Sequence, residues 1–165
     1  MATALKPGTT DYTMRGDREL VYTRVLDAPR DLAFAMFTEA EHLPNWMGME
    51  GDVMKIPVLD LREGGKYRCE WYRDDELLVV ILGEYTKIVP GEYVENTETM
   101  EFGETVTEPA LCSLTFTEKD GQTTVVGTMI FPDADSAKAA VASGMKDGMD
   151  IGFDRLDALL AKLAD

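Results

Sequence analysis

Histidine and cysteine, two of the side chains that most often catalyse reactions or bind transition metals, are scarce in this 165-residue chain. His42 is the single histidine, and Cys69 and Cys112 are the two cysteines. One histidine and two thiols cannot supply the ligands of a standard zinc site. We therefore predict no metal and no cofactor, and we expect both thiols to be small core side chains.

Two carboxylates, Glu70 and Glu98, lie inside predicted strands rather than at turns. If either faced a cavity, burial would raise the pKa of its carboxyl group and make it a candidate for proton transfer. The clustered carboxylates fall at predicted turns, where solvated charge is normal. The sequence lacks a phosphate-binding glycine loop, a nucleophile elbow and a metalloprotease helix motif. No set of residues therefore amounts to a catalytic signature.

The segments that must position these side chains are strand-like runs joined by short turns. Glu19–Leu26 alternates like a strand, Asp27-Ala28-Pro29 breaks it, and two short apolar helices extend to Trp46. Six more strand-like runs follow, at 53–61, 66–73, 77–89, 93–102, 110–118 and 123–131. Because the connecting turns are short, these runs are predicted to pair with antiparallel neighbours.

Residues 133–163 are predicted to form one long amphipathic helix. At 100° per residue, its apolar side chains fall within one arc that can lie on a sheet. Gly144, Gly148 and Gly152 recur at every fourth position, although each interior glycine costs about 0.5–1 kcal/mol relative to alanine. They indicate either close packing against a strand or room for a ligand. Helices flanking a run of antiparallel strands make this an α+β pattern.

The charge is strongly acidic, with 16 Lys plus Arg against 31 Asp plus Glu and a net charge of -15. Such a surface repels phosphate backbones and anionic lipids, so we predict neither a nucleic acid nor a membrane as partner. Two cysteines and no apolar run of signal or membrane-spanning length predict a cytoplasmic location. Residues 1–17 are expected to form a flexible arm, and residues 18–165 a single domain.

A series of short motifs carries a resemblance to a known family. In order they are Ala28-Pro29 with Phe34 and Phe37, Glu41-His42-Leu43 with Trp46, Asp60-Leu61-Arg62-Glu63-Gly64-Gly65-Lys66-Tyr67-Arg68, Gly83-Glu84-Tyr85 with Ile88 and Pro90, Thr123-Thr124, and Gly144-Met145, Gly148 and Asp154-Arg155-Leu156. Over about residues 19–163 the chain resembles the helix-grip superfamily of START domains and polyketide cyclases (SRPBCC). Within it, the chain is most similar to the AHSA-type branch, named after the activator of the heat-shock chaperone ATPase.

The resemblance implies a helix-grip fold. In that fold a curved, seven-stranded antiparallel sheet wraps a long C-terminal helix, with two short helices after the first strand and a cavity between sheet and helix. Many relatives carry two adjacent tryptophans and a nearby proline where this chain has Trp46-Met47-Gly48. That departure falls at the expected mouth of the cavity.

We predict that the cavity binds a small hydrophobic or amphipathic molecule. Strand parity puts Tyr67, Cys69 and Trp71 on one face. The predicted ligand-binding residues are Tyr67, Trp71, Met145, Met149 and Phe153, with Trp46 near the mouth. One alternative is a cyclase- or dehydratase-type enzyme that uses a cavity-facing acid or tyrosine.

A second alternative is an interaction protein that regulates a chaperone ATPase. The net charge of -15 and the lack of a second domain argue against a dedicated co-chaperone. A homodimer is also compatible with the sequence.

Overall fold

The computed structural model describes residues 5–48 and 50–164. In chain order the elements are β1 (Thr10–Arg15), β2 (Glu19–Leu26), α1 (Arg30–Thr38), a 3-10 helix (Leu43–Asn45), β3 (Val53–Leu59), β4 (Lys66–Arg73), β5 (Glu76–Val89), β6 (Tyr93–Phe102), β7 (Thr105–Val106), β8 (Ala110–Lys119), β9 (Gln122–Ile130), α2 (Ala134–Ala142) and α3 (Met145–Leu163). The helices of this described part all lack an apolar stretch long enough to cross a membrane.

The strands form one antiparallel sheet in the order β1-β2-β9-β8-β6-β5-β4-β3, and the short β7 pairs with the end of β6. The α+β helix-grip fold is thereby confirmed, with nine strands in place of the seven expected. Two hairpins show why neighbours are antiparallel. Asp74 and Asp75 have φ of 50° and 64°, and Asp120 and Gly121 have φ of 54° and 78°. Positive φ at both central residues gives the tight turn that suits the twist of paired strands.

Part of the predicted flexible arm is a strand. Residues 10–15 form β1, which pairs along its whole length with β2, from Thr10 opposite Arg24 to Arg15 opposite Glu19. The Tyr12 hydroxyl also donates a 2.7 Å hydrogen bond to Asp150 on α3. The expectation of a loose arm is wrong here because a hairpin with β2 and a hydrogen bond to α3 hold this segment. The single domain over residues 18–165 stays a prediction.

The prediction of a single helix over residues 133–163 is wrong. The Asp133 carboxylate accepts from the Ser136 N–H at 2.7 Å and caps α2, as a helix start there predicts. Gly144 then adopts a left-handed φ of 86°, and α3 begins at Met145. A left-handed residue interrupts the helical hydrogen-bond ladder, yet the apolar period continues beyond it. Periodicity alone could not reveal the break.

The helices α1 and α3 cover one face of the sheet, which is called the inner face below. Its main core contains Leu26, Met36, Phe116 and Leu156, each less than 2 % exposed. A smaller cluster joins Leu20, Ala110, Phe131 and Ala137 beside α2. Burial of such apolar surface is the main stabilising contribution to a fold of this kind.

Polar contacts hold α3 on the sheet from both sides. Arg24 of β2 is 2 % exposed, and its guanidinium group donates to Thr10 at 2.7 Å, Asp154 at 3.2 Å and Asp157 at 2.5 Å. On the opposite flank, Arg155 donates to the Gly48 carbonyl oxygen at 2.5 Å. These bonds fix the helix above the inner face and so define the space beneath it.

Candidate functional site

The inner face of β4 is confirmed as the strand parity predicted. Tyr67, Cys69 and Trp71 are buried beneath the helices. On the opposite face, Arg68 donates to Glu70 at 2.6 Å. That bond holds the pKa of the Glu70 carboxyl group below its usual value, so Glu70 is an ordinary surface carboxylate.

Two of the predicted lining residues, Trp46 and Phe153, pack in a closed aromatic region. Their rings stack with centroids 6.1 Å apart, and Trp46 Nε1 donates to the Met36 carbonyl oxygen at 2.9 Å. A Cβ on Gly152 would lie 3.3 Å from the Trp46 carbonyl oxygen. This glycine therefore serves close packing, and a ligand-binding role for the two rings stays a prediction.

The two predicted methionines of α3 lie in different surroundings. Met149 is partly buried against the main core, whereas Met145 packs against the smaller cluster beside α2. Nothing lies within 4 Å of a Cβ built on Gly148, so this notch faces open space. Met145 and Met149 thus pack against different clusters, and a ligand-binding role for both stays a prediction.

Trp71 reaches the loop that follows the 3-10 helix. A Cβ on Gly48 would lie 2.6 Å from Trp71 Nε1, and Gly48 has a φ of 91°. Only glycine suits that backbone and that close approach. Many relatives carry two adjacent tryptophans where this chain has Trp46-Met47-Gly48. The glycine of this segment makes room for the Trp71 ring.

A polar group that the sequence did not assemble lies further along the inner face. In the sheet register Glu98 of β6 stands opposite Ala110 of β8, and Asn96 stands opposite Cys112. Directly paired residues share a face. Because Ala110 is buried in the smaller cluster, Glu98, Asn96 and Cys112 all face inward.

Hydrogen bonds orient the neighbours of Glu98. Asn96 Nδ2 donates to the Tyr67 hydroxyl oxygen at 2.8 Å and to the Thr97 carbonyl oxygen at 3.1 Å. The Tyr67 hydroxyl in turn donates to the same carbonyl oxygen at 2.7 Å. Since that oxygen can only accept, the Asn96 amide nitrogen must point to it. The amide oxygen of Asn96 remains available as an acceptor.

Burial controls the ionisation of this group. It raises the pKa of the Glu98 carboxyl group, against a smaller opposite effect of the hydrogen bond with the Cys112 thiol. Burial likewise raises the pKa of the Tyr22 hydroxyl and of the Cys112 thiol, and the nearby Glu98 charge adds to both. The protonated, uncharged forms of all three are favoured. The Cys112 thiol is therefore a poor nucleophile.

The Tyr22 hydroxyl and the Glu98 carboxyl group are not fully sealed from solvent. Among residues 5–48 and 50–164, the fully sealed side-chain polar atoms without a hydrogen-bond partner are Arg24 Nε and Trp71 Nε1. The Tyr22 hydroxyl has no partner and is not sealed, and one thiol cannot satisfy both Glu98 oxygens. Tyr22, Glu98 and Cys112 are each only partly buried. The part of the inner face that they form together with Asn96 is called the polar interior site below.

Apolar side chains surround the polar interior site. In the register Cys112 stands opposite Met129 of β9, and Ile81 of β5 stands opposite Met100 of β6. These side chains too are only partly buried. The polar interior site thus combines polar atoms with adaptable apolar side chains, which is the usual composition of a site for a small molecule.

Sequence reasoning found Glu98 as a conditional candidate but missed Tyr22 and Asn96. One signal was available: Glu95, Asn96, Thr97 and Glu98 place polar side chains on both faces of a strand. A strand that is covered by a helix and is polar on both faces must bury some of them. Which strand pairs with which could not be read from the sequence, so the cluster could not be assembled.

The group of three potential metal ligands found in the described part of the chain is Glu39, Glu41 and His42. Their ligand atoms lie within 4.8 Å of one another, and both glutamates are exposed. His42 Nε2 is 3.4 Å from Glu41. The group lies on the surface, away from the polar interior site, and the absence of a metal stays a prediction.

Two of the surface clefts are formed by residues that the structure describes. The larger, of about 640 Å³, is lined by Pro44, Asn45, Met47, Glu50, Gly51, Asp52, Ile151 and Arg155. The smaller, of about 380 Å³, lies on the outer side of β4 and β5 and is lined by Val58, Lys66, Tyr67, Arg68, Leu82, Gly83, Glu84 and Thr97. Of the six predicted ligand-binding residues, only Tyr67 lines either cleft.

Comparisons with known proteins agree with this architecture. A family model described as Activator of Hsp90 ATPase homolog 1-like protein matches residues 27–161. A Rhodobacter sphaeroides structure has 21% sequence identity and a TM-score of 0.86, and the match covers 93% of this chain and 99% of that one. Protein Ms6760 from Mycobacterium smegmatis has 20% sequence identity and a TM-score of 0.81, and the match covers 93% of this chain and 98% of that one. No curated protein matches the sequence.

Proposed function

We propose that this chain, which belongs to the family of Activator of Hsp90 ATPase homolog 1-like proteins, binds a small amphipathic molecule in the polar interior site. That family is the AHSA-type branch of the helix-grip superfamily. The observation that carries the proposal is the inward-facing Glu98. Its side chain is partly buried on the inner face, near the Cys112 thiol, and burial raises the pKa of its carboxyl group. A buried polar group with few partners is costly to the fold, which favours a role in function.

The arrangement suits a ligand with one polar end. Glu98, Asn96 and the Tyr22 hydroxyl can hydrogen-bond that end. Met129, opposite Cys112, and in our proposal Met149 of α3 offer adaptable apolar contacts to the rest. The fold supports the proposal in general terms, because a helix laid over a curved sheet leaves room between them.

The test is binding of an uncharged fluorescent probe, N-phenyl-1-naphthylamine, by the purified protein. We expect saturable fluorescence enhancement that is lost in Met149→Trp, which fills the interior, at a cost of about 1–3 kcal/mol for overpacking. The matched control is Ile151→Trp on the same helix, because Ile151 lines the larger surface cleft. Loss of binding in Ile151→Trp with retention in Met149→Trp would move the site to that cleft and contradict the proposal.

A second candidate function is proton-transfer catalysis of the cyclase or dehydratase type. Glu98 favours it, because a carboxyl group with a raised pKa next to tyrosine hydroxyls can both donate and accept a proton. The test is exchange of the acidic α-proton of a small aryl β-diketone in D2O, followed by NMR. Catalysed exchange that is lost in Glu98→Gln and kept in Glu70→Gln would establish it; equal rates in both variants would exclude Glu98 as the catalyst.

Regulation of a chaperone ATPase, suggested by the family's name, is the third candidate and ranks below the other two. The test measures ATP turnover of the host's chaperone with added protein. Saturable, several-fold stimulation would reverse the ranking.

A further inference from the structure

We propose that the ligand of the polar interior site is an amphipathic amine, whose ammonium group pairs with Glu98 and also donates to Asn96 and Tyr22. This inference rests on the proposed function and names the chemical class of the ligand. Its basis is the kind of polar atom that the site presents and the sign of the charges around it.

The site presents mainly acceptors. Glu98 has two carboxyl oxygens and one thiol partner, so at least one oxygen is free to accept. The Asn96 amide oxygen is also free, because its nitrogen makes both hydrogen bonds of that side chain. The Tyr22 hydroxyl can accept as well. An ammonium group has three donors and no acceptor, which matches such a set.

Acidic ligands find no counter-charge there. Arg24 is the buried cation among the described residues, and Asp154 and Asp157 of α3 already pair with it. Lys146 of α3 lies over the Tyr12 ring, 5.5 Å from its centroid. A carboxylate or phosphate ligand in the polar interior site would face Glu98 without a free cation, and that is unfavourable in a buried site.

The groups that face Glu98 come from several strands, and none of them is basic. Tyr22 of β2, Tyr67 and Cys69 of β4, and Cys112 of β8 each feel its charge. The overall charge of -15 acts in the same direction, because it raises the local concentration of cations around the protein.

Binding changes the protonation of Glu98. Burial raises the pKa of this carboxyl group, so in the free protein the neutral acid persists to higher pH than in an ordinary glutamate. When an alkylammonium ion enters, the acid gives up its proton to the buffer and the resulting carboxylate pairs with the ion. One complex therefore releases up to one proton, and amine affinity rises with pH through the pKa of Glu98. A neutral ligand releases none.

The experiment compares three ligands with the same apolar body: 4-phenylbutylamine, 4-phenylbutanol and 4-phenylbutyrate. Isothermal titration calorimetry in two buffers of different ionisation enthalpy gives both affinity and the number of protons released. We expect the amine to bind about tenfold or more tightly than the alcohol, the usual gain from a charged hydrogen bond. The butyrate should bind most weakly, and only the amine should release protons.

Two variants sharpen the result. Glu98→Gln should bring the amine and the alcohol to within about threefold of each other and abolish proton release, whereas Glu70→Gln on the outer face should change neither. If the alcohol or the butyrate binds as tightly as the amine, or if Glu98→Gln keeps the amine preference, the amine inference is wrong while interior binding stands. If none of the three ligands binds, nor the naphthylamine probe, the proposed function itself fails.

Discussion

Under α1 and the C-terminal half of α3, the inner face is closed. Phe116 meets Phe34 and Phe37 edge to face at 5.2 and 5.6 Å. At Asn96 and Glu98 of β6 and at Cys112 of β8, the same face carries an amide, a carboxyl group and a thiol, and these three side chains are only partly buried. The two regions belong to one sheet and differ in the polarity of their side chains.

The closed region and the polar region contribute to the stability of the fold with opposite signs. Close-packed aromatic side chains give dispersion and burial without polar atoms that need partners. Glu98 lowers the stability of the fold, because the burial of its carboxyl group is unfavourable unless another group pairs with it. The closed region therefore stabilises the fold, and the polar region is available for a ligand.

The largest effect is expected in the closed region. Phe116→Ala should lower the free energy of unfolding by about 3–5 kcal/mol, because it leaves a cavity where a 1 % exposed ring had packed. Urea denaturation measures the change. The matched control is Phe102→Ala, since Phe102 is 45% exposed and should cost less than about 1 kcal/mol. Similar losses in both variants would mean that the aromatic region is not the stabilising core.

The next effect tests what holds the helix over both regions. Arg24→Met removes hydrogen bonds from Arg24 to Thr10, Asp154 and Asp157. We expect a loss of about 1.5–3 kcal/mol, the usual value for hydrogen bonds to charged groups. The Asp154 and Asp157 side chains are 72% and 30% exposed, so water can replace the lost partner. A stability unchanged in urea denaturation would show that packing alone holds α3.

A pH series tests the polar region. The folded protein binds a proton at Glu98 more tightly than the unfolded chain does, because burial raises the pKa of the carboxyl group. The contribution of Glu98 to stability should therefore be highest below the unfolded pKa of about 4.3 and fall as pH rises towards the folded value. The slope from one proton is at most about 1.4 kcal/mol per pH unit. Glu98→Gln should remove this component and be more stable than the wild type at neutral pH, as measured by chemical denaturation. A variant that is less stable at every pH would contradict the assignment.

The smallest effect compares two glycines of α3. Gly148→Ala should raise stability by about 0.5–1 kcal/mol, because the new methyl group meets nothing within 4 Å and the helix propensity improves. Gly152→Ala should gain less or lose, since its methyl group would lie 3.3 Å from the Trp46 carbonyl oxygen. Thermal unfolding of both variants provides the measurement. An equal gain at both positions would mean that α3 is not closely packed at Gly152.

Much of the architecture could be predicted from local sequence. β2, β4 and β6 begin and end where the residue pattern places them, because alternation and turn residues are local signals. Parity also fixed that Tyr67, Cys69 and Trp71 share a face. The helical period of 145–163 predicted α3, although not the break at Gly144, since the apolar arc continues through it.

Other features depended on contacts between elements. The segment Thr10–Arg15 is a strand because it forms a hairpin with β2 and is hydrogen-bonded to α3. Glu98 faces inward beside Cys112 because of the pairing of β6 with β8, which alternation cannot specify. The sequence by itself determined which side chains lie on opposite faces of each strand. Only the tertiary structure decided which face is covered and which strands are neighbours, because non-local packing determines both.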